Sequence, residues 1–314
     1  MSILKKGTKG PVSRPHLVLV YGPEGVGKST FAAGFPAPYF LDVEKGTMRL
    51  DVERAHPESY AEFLSALDDL EKEKHEHKTL VIDSLSRLET LLWHHVCENN
   101  FSGKVWSSIE DPGYGKGYVA AGEEWEKLVL RLEKFQEKTG MGLVLIAHSE
   151  MSTFQDPVNN VSYTRYQLEL HKTASATIKK YVENIFFINH DTVTKQEKNE
   201  KNAKAYGAGE RVMYTEHRPA FDAKNRLGLP FTLAPTYSAI AAVNPTATPV
   251  EAPPPPAKST KLLRAEIEKL LKKTDDKLLK EKVELYVRDN PEDVAKLEAT
   301  IQRLKTVLGI GEEK

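Results

Sequence analysis

Residues 22–29 form the segment that decides the fold of this chain, and they read Gly22-Pro23-Glu24-Gly25-Val26-Gly27-Lys28-Ser29. This is the pattern G-x-x-x-x-G-K-[ST], in which glycines let backbone N–H groups close around phosphate groups. Lys28 would reach the β- and γ-phosphates of ATP, and the Ser29 hydroxyl would hold Mg²⁺. With Thr30, these residues are the predicted ATP-binding segment. The alternative is a glycine-rich surface turn that matches by chance.

The flanking residues favour the phosphate-loop interpretation. Residues 16–21 are an apolar run typical of a buried parallel strand, and residues 29–33 can open a helix. A helix N-terminus favours anions. Strand, loop and helix in this order are the context that the motif requires, so the sequence predicts nucleotide binding.

Three further apolar runs, at 38–44, 79–84 and 142–149, alternate with helical patterns. The helical patterns cover 58–74, 84–99 and 118–138. This alternation predicts the α/β class, with a mostly parallel central sheet flanked by helices on both faces. Ligands of such sheets bind at the carboxyl ends of the strands.

Polar residues stand where these strands end. Asp83 is expected to hold Mg²⁺, although an Asp after a strand is often only a helix cap. Glu44 is the predicted base that orients the attacking water; Asp42 competes with it because strand alternation puts both on one face. His148 is a candidate sensor of the γ-phosphate, or simply a polar residue at a strand end.

The chain divides by composition into four parts. Residues 244–260 contain four consecutive prolines and predict a semi-rigid linker. We therefore expect an N-terminal tail at 1–14, an ATPase core at 15–243 and a small helical C-terminal module at 261–314, where apolar residues return with helical spacing.

Net charge and cysteine content bear on the partners and the cellular compartment of the protein. The formal net charge is −1, so any nucleic-acid surface must be local. The single cysteine, Cys97, excludes an intrachain disulfide and is typical of a reducing compartment. No stretch is apolar and long enough to span a membrane, and residues 1–14 lack the pattern of a secretory signal. The expected location is the cytoplasm.

These motifs together resemble the RecA-like P-loop ATPases. Residues 39–46 look like the strand that carries their catalytic glutamate, residues 81–84 like their magnesium strand, and Leu145 to His148 like the strand of their γ-phosphate sensor, where His replaces the usual Gln. The chain is also similar to a phage-encoded RecA-like family linked to single-strand annealing and recombination. The matching pieces are residues 22–30, 40–46, 114–118 with Trp125 downstream, and 223–230. That likeness covers residues 14–233 and leaves the C-terminal module unassigned.

The resemblance implies two further elements. Lys224 and Arg226 look like the basic pair that RecA-type hexameric helicases insert into a neighbour's nucleotide site, where a cation supplied in trans stabilises the transferring phosphoryl group. The alternative is a solvated basic turn. DNA-binding loops of this fold would fall at 101–118 and 149–166. The candidates for base stacking and phosphate binding there are Lys104, Tyr114, Lys116, Tyr118, Phe154, Tyr163 and Arg165.

The leading hypothesis is therefore an ATPase that assembles as a homo-oligomer, a ring or a filament, on single-stranded DNA during recombination or annealing. A single-strand-binding protein is a further candidate partner. The alternatives are a ring helicase or translocase, and a nucleotide-gated DNA-binding scaffold with little hydrolysis. A basic stretch at 194–211 is interpreted as the solvated end of a long hairpin.

Overall fold

The computed structural model describes residues 14–100, 103–156, 159–191, 193–195, 204–206, 209–241, 260–274, 276–289 and 294–307. The chain separates into two compact units, Met1–Val250 and Glu251–Lys314. Among the described residues, no helix has the length and apolar character needed to cross a membrane. The predicted tail, apart from Arg14, and nearly all of the predicted linker lie outside the described residues.

The first unit is built on a nine-stranded mixed sheet with the order β11-β10-β7-β1-β5-β4-β2-β3 and β6 added to β5. A separate pair, β8 and β9, is antiparallel. The strands are β1 Leu17–Gly22, β2 Pro38–Asp42, β3 Glu53–Ala55, β4 Thr79–Asp83, β5 Gly142–Asp156, β6 Val161–Leu168, β7 Asn184–His190, β8 Val193–Lys195, β9 Lys204–Tyr206, β10 Arg211–Tyr214 and β11 Thr232–Leu233.

Helices cover both faces of this sheet. Within the unit they are α1 Lys28–Ala33, α2 Tyr60–Lys72, α3 Leu85–Glu98, α4 Lys116–Thr139, α5 Lys172–Tyr181 and α6 Ser238–Ala241. Residues of β1 alternate between the two resulting cores: Leu17 and Leu19 pack on one face, Val18 and Val20 on the other. Because both faces are buried, β1 is apolar throughout, as expected for a central parallel strand.

The phosphate loop lies at the centre of the sheet. β1 is parallel to both β5 and β7, so its carboxyl end opens between them. From β1 the chain crosses over β5 and β4 to reach β2, which makes this edge a topological switch point where ligands of α/β sheets bind. The predicted fold class, a mostly parallel sheet flanked by helices, is confirmed.

Two hairpins refine the sequence prediction. Residues 149–166 were expected to form a loop, and this is wrong: β5 runs on to Asp156 and pairs antiparallel with β6. Alternating Ser, Thr and aromatic residues supply cross-strand pairs such as Phe154 opposite Tyr163, and such pairs stabilise a hairpin. The hairpin predicted around 194–211 is present, with β7 antiparallel to β10.

The second unit consists of the helices α7 Thr260–Leu271, α8 Lys277–Asp289 and α9 Val294–Val307. Its buried apolar residues come from α7 and α9, and partly buried residues of α8 pack against them. Ile267 and Leu270 on α7 meet Leu297 and Ile301 on α9, which are faces that helical spacing predicted.

Candidate nucleotide-binding site

The backbone of the phosphate loop has space only for glycine at two positions. A Cβ atom on Gly22 would lie 2.1 Å from the carbonyl oxygen of Ile188 on β7, and Gly27 has a φ of 94°. L-residues with side chains rarely adopt that angle. Val26 is buried and anchors the loop, while Glu24 and Gly25 face solvent. Thr30 lies in the first turn of α1.

Lys28 is held inside the loop. Its Nζ donates to the carbonyl oxygens of Gly22 and Pro23, both at 2.9 Å, and the residue is only 6% exposed. Burial lowers the pKa of Lys28, while Asp83 and Glu44 act in the opposite direction. A cation is thus fixed within the glycine-rich loop, a combination that suits a polyphosphate.

Ser29 and Asp83 meet at the sheet edge. The Ser29 Oγ donates to Asp83 Oδ2 at 2.6 Å. Burial, helped by Glu44 and Asp42, raises the pKa of Asp83 to about 6 against the hydrogen bond from Ser29. A buried carboxylate and a hydroxyl are oxygen ligands that Mg²⁺ uses together with substrate phosphates and water. These two side chains therefore fit the predicted magnesium site.

Glu44 lies just beyond β2 and faces the same edge. Its carboxylate is 2.8 Å (Oε1) and 3.0 Å (Oε2) from His148 Nε2, and it accepts a hydrogen bond from the Ser84 hydroxyl. Burial alone would raise the pKa of Glu44, but these two hydrogen bonds together with the charges of His148 and Lys28 lower the pKa. The same contact raises the pKa of His148. Ser84 was missed in the sequence, although it directly follows Asp83.

Asp42, the competitor of Glu44, is fully buried. Its carboxylate accepts from the backbone N–H groups of Gly46 (3.1 Å) and Thr47 (3.0 Å) and from the Thr47 hydroxyl (2.5 Å). These bonds fix the turn after β2, and Glu44 projects from that turn. The contacts of Asp42 are those of a structural residue, which favours Glu44 as the base.

The basic pair Lys224 and Arg226 separates into two roles. Lys224 Nζ donates to the carbonyl oxygens of Val182 (2.6 Å) and Lys179 (3.2 Å), so it caps the end of α5 in its own chain. Its charge is thus engaged at a helix C-terminus of its own chain, which makes Lys224 a weaker candidate than Arg226 for reaching a neighbour. The Arg226 side chain is exposed, while its backbone N–H donates to Asn184 Oδ1 at 3.0 Å.

The first predicted DNA segment presents three exposed side chains. Lys104, Tyr114 and Lys116 face solvent, and Tyr114 is completely exposed. Tyr118 is different: its ring stacks on His171 with centroids 4.5 Å apart, and its hydroxyl donates to Glu110 at 3.0 Å. Because β5 begins shortly after α4 ends, the start of α4 points toward the carboxyl edge of the sheet.

The second segment is the hairpin of β5 and β6, which continues from His148. Phe154 and Tyr163 pair across it with ring centroids 5.4 Å apart, and both are half-buried. Arg165 was expected to contact DNA, but its side chain is buried: the residue is 8% exposed and forms an ion pair with Asp222. No local pattern indicates this contact, because Asp222 lies 57 residues away along the chain, where its carboxylate also pairs with Lys179.

Arg211 was taken for part of a solvated hairpin, and the structure places it beside the phosphate loop, next to Gly27. No local pattern marks this position, because the contact depends on β10 pairing with β7 and β7 with β1.

Fold and site together define a P-loop NTPase: a glycine-rich loop, a lysine and a Ser–Asp pair converge at the switch point of an α/β sheet. The model of a family described as AAA domain matches residues 14–227, and the chain belongs to that family. The crystal structure of the RadB recombinase is similar over 66% of this chain and 84% of that chain, with 19% identity and a TM-score of 0.35. No curated protein matches the chain.

Proposed function

We propose that this protein hydrolyses ATP with Mg²⁺ and acts on single-stranded DNA in recombination or single-strand annealing. The observation that carries the ATPase part is the convergence of Lys28, the Ser29–Asp83 pair and Glu44 at one sheet edge. These are a phosphate-binding cation, a metal-binding pair and a carboxylate outside that pair, which are the groups that phosphoryl transfer to water requires.

Each residue has a defined task in this proposal. Lys28 and the loop N–H groups hold the phosphates, and Ser29 and Asp83 hold the cation, which when bound neutralises charge on the β- and γ-phosphates. Glu44 orients a water molecule and accepts its proton at the carboxylate. His148 and Ser84 fix the rotamer of Glu44, and the low pKa keeps Glu44 ionised and ready to act as a base.

The DNA part of the proposal rests on position. The first candidate segment leads into the start of α4, which points toward the edge where ATP would bind, and β5 connects His148 directly to the hairpin. A change at Glu44 and His148 would therefore reach the hairpin through one continuous strand. Exposed Lys104, Tyr114 and Lys116 supply phosphate and stacking contacts of the kind used on single strands.

Assembly would complete the nucleotide site. Arg226 is exposed and remains the candidate for a cation given to a neighbouring subunit, since a trans arginine contributes about 10³ to 10⁵ in rate where it is known. Lys224 is the weaker candidate for that role because it caps α5. The oligomer would be a ring or a filament formed on DNA.

Binding of a fluorescent oligo-dT strand, followed by anisotropy with ATP, with ADP and without nucleotide, tests this function. We expect tighter binding with ATP, together with a larger mass by light scattering. Tyr114→Ala should weaken binding about tenfold, because one base–aromatic stack contributes about 1–3 kcal/mol. Tyr114→Phe keeps the ring and should bind as the wild type does.

A folded protein that binds no single strand in any nucleotide state would contradict the DNA part. Strand unwinding in the same preparation would instead favour a helicase or translocase, and ATP-gated binding without turnover would favour a scaffold.

A further inference from the structure

Arg211 lies against the phosphate loop although it belongs to a distant part of the chain. It begins β10 and stands opposite His190, the last residue of β7. Because β7 is parallel to β1, the carboxyl end of β7 lies at the edge that carries the loop, and the antiparallel β10 starts there. A Cβ atom on Gly27 would be 2.3 Å from Arg211 Nη1 and 3.4 Å from its Cζ.

The guanidinium of Arg211 has no other evident task. In the described part of the chain, no carboxylate forms an ion pair with it, and the residue is exposed. Three other arginines of this unit are engaged: Arg165 pairs with Asp222, Arg131 with Asp68 and Glu71, and Arg54 donates to backbone carbonyl groups. Arg211 instead lies, exposed, against the loop that would bind phosphate in the proposed function.

We propose that Arg211 is a second nucleotide-binding cation, delivered in cis by the β7–β10 hairpin to the phosphate chain of ATP. This inference rests on the proposed ATPase function. Lys28 is buried and bonded to two loop carbonyl groups, whereas Arg211 is exposed and lies against Gly27, so two separate cations stand at the loop. The planar guanidinium offers five donors in a fork that matches phosphate oxygens.

The contact with Arg211 is a second reason why position 27 requires glycine. Any side chain there would meet the guanidinium as well as suffer the φ of 94°. The contact would also connect the nucleotide to the hairpin of β7 and β10, and β8 and β9 lie between these two strands in the chain. The proposed role therefore differs from that of Arg226, which would act on a neighbouring subunit.

Isothermal titration of the full-length protein with Mg-ATP and Mg-ADP tests the proposal. Arg211→Ala should weaken ATP binding about tenfold to a hundredfold, the range for hydrogen bonds to charged groups, and the loss should shrink at high salt. Arg211→Lys keeps the charge but loses the planar fork of donors, so its affinity for ATP should lie between those of the wild type and Arg211→Ala. Arg303→Ala removes an exposed arginine from the second unit and should bind as the wild type does.

If Arg211 acts within its own chain, Arg211→Ala should weaken ATP binding by the same factor at protein concentrations where light scattering finds only monomers. Wild-type affinity in a folded Arg211→Ala protein, or a loss seen only in assemblies, would overturn this proposal and leave the ATPase proposal standing. Absence of ATP binding to the folded wild type would overturn both. If Arg211→Ala melts at a lower temperature than the wild type, Arg211→Lys decides, and wild-type affinity in that variant would exclude a role for the fork.

Discussion

Lys28→Ala should reduce ATP turnover about a hundredfold or more while leaving the fold intact. Lys28 is the one side-chain cation inside the phosphate loop, where it would stabilise charge on the transferred phosphoryl group, and one preorganised donor of this kind contributes about 10² to 10³ in rate. Its charge is partly desolvated, and its hydrogen bonds go to two loop carbonyl groups. Removing the Lys28 side chain should therefore change the free energy of unfolding of the protein only slightly. Steady-state phosphate release measures the effect.

Lys127→Ala is the matched control for this experiment. Lys127 is exposed on α4, where it pairs with Glu124 at 2.9 Å, away from the loop. The Lys127→Ala protein should have the ATP turnover and the melting curve of the wild type. Near-normal turnover in a folded Lys28→Ala protein would remove the assignment of the phosphate loop.

Glu44→Gln should keep ATP binding and lower turnover by about 10² to 10⁴, the contribution typical of a positioned general base. The amide preserves the shape of the side chain and its acceptor oxygen for the Ser84 hydroxyl. It cannot accept the proton of the attacking water. Titration with ATP and a single-turnover assay on the same sample separate binding from chemistry.

Asp42→Asn distinguishes the base from its neighbour. Asp42 accepts hydrogen bonds from Gly46 and Thr47 in the buried turn, so its loss should lower the melting temperature more than Glu44→Gln does. The ATP turnover per folded molecule should nevertheless be higher in Asp42→Asn than in Glu44→Gln. The reverse pattern, with active Glu44→Gln and inactive but stable Asp42→Asn, would show that the base was assigned to the wrong carboxylate.

The parts that were predictable are those encoded by short, continuous patterns. Residues 22–29 combine a motif with strict spacing and an apolar strand before it, and the buried runs at 79–83 and 142–148 end in polar residues. In a parallel sheet these ends meet at one edge, so Asp83 and His148 were placed near the loop without knowledge of the strand order.

Contacts between distant segments were not predictable in the same way. Arg165 and Lys224 read as free cations, yet Asp222 and the end of α5 engage them. Arg211 read as part of a solvated hairpin, yet the pairing of β10 with β7 carries it to the loop. The β5–β6 hairpin was mistaken for a loop because its strands carry few strongly apolar residues beyond His148.

Steady-state ATP hydrolysis by the wild-type protein, with and without single-stranded DNA, tests the central claim most directly. The account predicts Mg²⁺-dependent turnover that rises severalfold on addition of single-stranded DNA and is lost in Lys28→Ala under both conditions. A well-folded wild-type protein that releases no phosphate above the level of Lys28→Ala, with DNA and Mg²⁺ present, would contradict it.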